Sequence, residues 1–316
     1  MQILLQQTQA YKLLKKESEE NILSHAYLLL WEDPKLLRKG IKDFAKLLFL
    51  KDGEEDVRIS KLIDEESFSD CLFFPEEGKK LTVEDVEKIK EESELSPIEG
   101  NKKVFVLADF SLANDKAQNK LLKLLEEPPK GVYFLLGASS VFAILQTVLS
   151  RTKKLEIQPF SIEQIKFFLR RNHADCEERK LLFAAVASGG QAGEAESALH
   201  SEEHAKLLDC AFELALTPLK RIPALIKSVG ESKKQKELLS MLRLVYRDAT
   251  LVKIGRKEIL LQTEKSKLEE VANAYSIAAL IQAQDCIKEA EKEINFNAVF
   301  AQCMEICIQK IREIKG

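Results

Sequence analysis

Glycine and proline are scarce in this chain of 316 residues, at 12 and 8. That shortage argues against a loop-rich all-β architecture, a collagen-like repeat and a low-complexity linker. Histidine occurs four times, at His25, His173, His200 and His204, in no nucleophile-elbow or metal-ligand context, which sets a Ser or Cys hydrolase aside. The six cysteines form no CxxC pair. The closest two, Cys303 and Cys307, are four apart in a helical pattern and share one helix face, where buried thiols are expected rather than a metal pair. No apolar run reaches membrane-spanning length, and the N-terminus lacks a charged leader followed by an apolar stretch. The expectation is a cytoplasmic chain with reduced thiols and no membrane association. Basic residues are not in excess: the formal charge is −3, so the chain as a whole is not a basic nucleic-acid binder.

What is abundant is Leu, Lys, Glu and Ala, a balance that favours helix. The length calls for more than one domain. Ala26 to Leu30 is a short apolar run followed by Trp31-Glu32-Asp33-Pro34, read as a buried strand and a loop. Apolar residues at Leu37, Ile41, Phe44, Ala45, Leu47 and Leu48 follow at helical spacing. The acidic stretch 52–70 reads as a solvated connection, and Cys71 to Phe74 as a second strand ended by Pro75. Thr82 is placed to cap a helix, with Asp85 three residues on supplying charge at its positive end. Val104 to Leu107 reads as a central strand buried on both faces. Ala113 to Glu127 is helical and stops at Pro128-Pro129, and Val132 to Leu136 is the next strand.

Strands alternating with helices imply a parallel sheet. After Gln158-Pro159-Phe160 only helical patterns follow, punctuated by Gly189, Gly190 and Gly193 and then by Pro218, Pro223 and Gly230. The division expected is an α/β domain at 1–160, a small all-α domain at 161–202 and an all-α bundle at 203–316. Stripes such as Leu238-Leu239-Met241-Leu242-Leu244-Val245, and Met304, Ile308 and Ile311, are chiefly core.

Several segments, in order, resemble the delta-prime type of bacterial DNA polymerase III clamp-loader subunit, an AAA+ family. Ser24-His-Ala-Tyr-Leu resembles its opening strand, and Gly100 to Asp109 its Walker B strand. Asn114 to Pro129, ending Leu-Leu-Lys-Leu-Leu-Glu-Glu-Pro-Pro, is similar to the family's "NALLKTLEEPP" helix, and Leu145 to Thr152 to its "LLPTIRSRC" segment. Ser188 to Gly193 matches a glycine-bearing turn of the lid, and Asn295-Phe-Asn297 the last collar helices. The resemblance thins over 51–70 and after about Glu194. It implies a RecA-like AAA+ domain with a parallel sheet, an all-α lid and an all-α collar that joins subunits in a ring.

The resemblance also shows what is missing. A phosphate-binding loop needs glycines that let backbone wrap phosphates, a lysine for the β- and γ-phosphates and a hydroxyl for Mg²⁺. Aligned on the family, glycine positions fall on Trp31, Pro34 and Leu36, and the lysine position on Leu37. Lys35 and Lys39 are the only displaced candidates, and Trp31, Glu32 and Asp33 put bulk and negative charge in their way. In Leu107-Ala108-Asp109-Phe110 the metal position falls on Ala108, and Asp109 reads equally as a turn cap. Glu194 takes the place of a sensor arginine. The expectation is that the chain neither binds nor hydrolyses ATP and carries no cofactor. The four-cysteine zinc module of many relatives has only Cys71 in its interval, so no structural metal is expected either.

What the resemblance keeps is Ser150-Arg151. In clamp loaders the matching arginine is presented to a neighbour's ATP as an arginine finger, with the serine in support; taken alone, Arg151 reads as a cap on the preceding helix. Lys153 and Lys154 would add to the same electropositive edge. Implied partners are tau/gamma-type ATPase subunits and a delta subunit, with the sliding clamp and primer-template DNA reached through the complex. The helix from Thr82 to Glu94, which faces the DNA chamber in the family, is acidic here, so direct DNA contact is expected to be weak. Two alternatives stand beside this one. A clamp-opening, delta-like subunit would use an exposed apolar prong such as Phe73-Phe74, and a catalytic AAA+ subunit would need a cryptic nucleotide site.

Overall fold

The computed structural model describes residues 1–51, 53–199, 204–227, 229, 232–296 and 298–313. The chain divides into two compact units, Met1–Phe160 and Ser161–Gly316. The expected boundary at 202/203 lies outside the described residues, as do His200, Gly230 and Asn297 of the sequence reading.

The first unit runs α1 (Gln2–Gln6), α2 (Gln9–Glu19), β1 (Ala26–Trp31), α3 (Pro34–Leu47), α4 (Val57–Asp64), β2 (Cys71–Phe74), α5 (Val83–Ser93), β3 (Lys103–Leu107), α6 (Asp115–Glu126), β4 (Val132–Ala138), α7 (Gln146–Leu149) and β5 (Lys153–Ile157). Among the described residues the strands form one five-stranded parallel sheet in the order β2-β3-β4-β1-β5. β1 lies between β4 and β5, with Ala26 opposite Phe134 and Tyr27 opposite Lys153. All six of its residues are buried, as a continuous apolar run in a sheet covered on both faces requires. β3 is likewise buried throughout.

The helices begin where local chemistry dictates. Thr82 and Asp85 form a reciprocal capping box at α5: the Asp85 N–H donates to Thr82 Oγ1 at 3.1 Å, and the Thr82 N–H to Asp85 Oδ2 at 2.9 Å. Asn114 caps α6 by accepting from the Ala117 N–H, and α6 ends at Glu126, ahead of the two prolines.

Two elements depart from the sequence reading. The stretch taken as a solvated connection contains α4, capped by Asp56, whose carboxylate accepts from the Arg58 and Ile59 amides. Only Ile63 of that helix is buried, so its apolar stripe is too narrow to read as amphipathic. β5 was not expected either. It is an edge strand in which Leu155 and Ile157 alone turn inward. Its placement is fixed partly by polar contacts: Lys153 pairs with Glu17 of α2, and Tyr27 of β1 donates to the same carboxylate at 2.6 Å. Phe73 and Phe74 are half-buried in β2, where Phe74 lies 6.5 Å from Phe105 and Lys42 sits over the Phe73 ring.

The second unit is helical: α8 (Ile162–Asn172), α9 (Glu178–Ala187), α10 (Ala192–Ala198), α11 (His204–Leu216), α12 (Ile222–Lys227), α13 (Ser232–Lys253), α14 (Lys265–Ala274), α15 (Ile277–Asn295) and α16 (Phe300–Glu313). The stripe Leu238 to Val245 is core, and Cys303, Met304, Cys307, Ile308 and Ile311 face the same interior. Leu182, Phe183 and Val186 of α9 belong to that cluster too. The buried Asp248 accepts from the Leu260 and Leu261 amides, both at 2.7 Å, and so fixes the turn before α14. Burial pushes its carboxyl above the usual range against these bonds. Among the described residues no helix is long and apolar enough to cross a membrane.

Candidate functional site

In open parallel α/β sheets ligands gather at the carboxyl ends of the strands; two segments of the first unit lie there, and a third, just ahead of β5, lies at the amino end of the sheet. The first is the passage from β1 to α3. Only Glu32 and Asp33 separate the strand from the helix, which starts at Pro34, a residue whose fixed φ suits the first helical turn. The helix therefore begins three residues ahead of Leu37, the position the family resemblance assigns to a phosphate lysine. Trp31 is buried with its ring on the helix: a Cβ built on Gly40 would stand 2.4 Å from the ring, and Phe160 meets it edge-on at 6.4 Å. Leu36 and Leu37 are buried in turn. Arg38, next along, is held by a bidentate pair with Glu66 (2.9 and 2.6 Å) and donates to the Pro75 carbonyl at 3.0 Å. Lys42 reaches the same carboxylate at 2.9 Å. Burial alone would raise the Glu66 carboxyl, but the Arg38 and Lys42 contacts outweigh it and hold it below its ordinary value.

The second segment follows β3. Ala108 is buried, and Asp109 adopts left-handed backbone angles (φ 62°, ψ 40°) before the turn Phe110–Leu112. Partial burial raises its carboxyl, against a hydrogen bond with Ser111. Ser111 Oγ in turn lies 3.3 Å from Ser139 Oγ, at the end of β4.

The third segment carries Arg151. Gln118 of α6 is fully buried and grips the approach to α7: its amide nitrogen donates to the Ala113 and Ala143 carbonyls (3.0 and 2.8 Å), and its oxygen accepts from the Leu145 N–H at 2.9 Å. Eight residues further along α6, about 12 Å by helical rise, Glu126 pairs with Arg151 just past the end of α7. The Arg151 Nη1 donates to the Thr147 carbonyl at 2.8 Å and to Ser150 Oγ at 3.3 Å, while Ser150 Oγ itself donates to Thr147 O at 3.0 Å. Arg151 and Ser150 thus both cap the short helix, and the arginine side chain remains 32% exposed.

Gln118, Glu126 and Glu66 are residues that sequence reasoning did not single out. Lys153 and Lys154, expected to reinforce a positive edge, are balanced by Glu17 and Glu156. Glu194 lies in the first turn of α10, in the second unit.

Comparison with known proteins points to DNA polymerase III subunits. The family described as "DNA polymerase III, delta subunit" matches residues 6–161. The DNA polymerase III subunit delta' of Bacillus subtilis is 24% identical over 318 aligned residues, covering 97% of this chain and 96% of that one. The delta' subunit of Haemophilus influenzae is 33% identical over 118 residues, 37% of this chain and 36% of its own. The tau subunit of Escherichia coli is 30% identical over 124 residues, which is 38% of this chain and 19% of that protein. Over its first half the chain thus matches the family of DNA polymerase III delta-type subunits, and over nearly its full length it is similar to a delta' subunit.

Proposed function

We propose that this chain is a non-catalytic, delta-prime-type subunit of a clamp loader. It assembles with tau/gamma-type ATPase subunits and a delta subunit, reaches the sliding clamp and primed DNA through that complex, and presents Arg151 to a neighbour's ATP. The observation that carries the reading is a contrast within one unit. Where a phosphate loop would lie, at the carboxyl end of β1, there are two acidic residues and a tryptophan packed on Gly40, while just ahead of β5, at the opposite end of the sheet, a short helix is followed by an accessible arginine. A triphosphate needs open backbone amides and a cation. The β1–α3 junction offers it bulk and two carboxylates, so the segment does not fit the group. The loss of one site leaves the other usable, because an arginine finger serves the active site of the next subunit.

In this reading the all-α second unit divides into a lid and a collar that holds the ring together, and Ser150 supports Arg151 by sharing the Thr147 carbonyl with it. The test is steady-state ATP hydrolysis by the reconstituted loader, with clamp and primed DNA, comparing wild type with Arg151→Ala after both assemblies have been verified by size exclusion. Turnover at the site facing Arg151 should fall on the order of 10³-fold, the scale of an arginine finger. Undiminished turnover in an intact Arg151→Ala complex refutes the finger and leaves Arg151 as a helix cap.

A further inference from the structure

The Arg151 guanidinium is held from two sides that differ in kind. Nη1 is anchored on its own helix end, through the Thr147 carbonyl and Ser150 Oγ. Nη2 is taken by the Glu126 carboxylate, from a different helix. A planar guanidinium that gives one nitrogen to a carboxylate cannot give that nitrogen's same hydrogen to a phosphate oxygen as well.

Helix stability does not account for Glu126. It is the last residue of α6, followed by Glu127, so two acids stand at the end where the aligned peptide dipoles already leave partial negative charge. Lys123 is the basic residue of that last turn. Nor does burial hold the pair together. The Glu126 side chain is 47% exposed and Arg151 32%, so both are open to water and to an incoming surface. Pairs of this exposure bias their ions by only about two- to fivefold. The backbone beneath the arginine, by contrast, is fixed: Gln118 fastens residues 143 and 145 to α6, leaving the side chain as the moving part.

From this arrangement we infer that Glu126 is a latch on Arg151. In the chain without a neighbouring nucleotide, the carboxylate occupies Nη2 and offsets the arginine's charge. A neighbour's triphosphate, which carries more negative charge than one carboxylate, displaces it, and the guanidinium changes partner while Nη1 stays on Thr147. No covalent step is involved. Glu126 is a positioning residue that acts through Arg151, and its effect is to restrain hydrolysis until the subunit interface is properly closed. The inference rests on the reading of Arg151 as a finger.

The test is a double-mutant cycle in the reconstituted loader, assayed with ATP in the absence of clamp and DNA: wild type, Glu126→Gln, Arg151→Ala and the double variant. Glu126→Gln keeps shape and hydrogen-bonding reach and removes only the charge. Because the position is half-exposed, folding and assembly should be unchanged, which size exclusion checks. The expected result is a rise in kcat of about two- to fivefold for Glu126→Gln, with KM for ATP unaltered and with no rise in the Arg151→Ala background. A rise of equal size in that background overturns the latch, since Glu126 would then act elsewhere. Unchanged or lower kcat for Glu126→Gln, with Arg151→Ala strongly impaired, overturns the latch and leaves the finger standing. Full activity of Arg151→Ala overturns the finger and the latch with it.

Discussion

Replacing Gln118 by alanine should loosen the first unit by about 3 kcal/mol. The side chain is fully buried and makes three hydrogen bonds, to the Ala113 and Ala143 carbonyls and from the Leu145 amide, at 2.8–3.0 Å. Truncation strips each partner of its bond, at a cost of about 1 kcal/mol apiece. The chain supplies its own probe. Trp31 is the single tryptophan, buried in the same unit, so its emission during urea unfolding follows Met1–Phe160 and not the helical unit. With a urea dependence of roughly 2 kcal/mol per molar for a unit of this size, the midpoint should drop by about 1.5 M with an unchanged slope. A drop under about 0.3 M would mean that the three bonds are replaced by solvent and that the anchor under α7 is dispensable.

Two further outcomes follow from the β1–α3 junction. Gly40→Ala, which by intrinsic helix propensity should stabilise by about 1 kcal/mol, should instead destabilise by about 1–2 kcal/mol, because the new methyl meets the Trp31 ring at 2.4 Å. Circular dichroism in urea reads this, and Trp31→Leu in the same chain should relieve it. The Glu66 carboxyl has a folded-state pKa below its unfolded one, so the protein gains stability from it at neutral pH and loses that gain as pH falls below about 5 towards 3. The urea midpoint of wild type should therefore fall more steeply than that of Glu66→Gln over that range, and parallel curves would remove Glu66 from the pH response.

The parts of the fold that could be read from sequence are those whose signal is local. β1 and residues 104–107 of β3 are unbroken apolar runs, α5 announces itself with Thr82 and Asp85, and α6 is closed by two prolines. The parts that escaped depend on what lies across the sheet. β5 shows only two inward residues because it is an edge, and α4 buries one side chain. The site divides in the same way. Arg151 and Ser150 are legible because a contiguous motif carries them, whereas the partner of Arg151 is 25 residues away at the tail of another helix, in a Glu-Glu-Pro-Pro segment whose pattern speaks only of termination. The buried role of Gln118 has no sequence signature, since a glutamine in an amphipathic helix reads as surface.

The sheet order has a consequence for how the chain comes to be folded during synthesis. β2, β3 and β4 can be laid side by side in the order they are made, each joined to the next by one helix, but β1 pairs only with β4 and β5. About 100 residues separate the end of β1 from the start of β4, which at ordinary elongation rates is roughly 5–20 s. For that interval the Ala-Tyr-Leu-Leu-Leu-Trp segment has no strand beside it and only the adjacent helices to shield it. The strand that comes first in the sheet is thus among the last to be seated, and β4 and β5 must both be made before its two edges are closed.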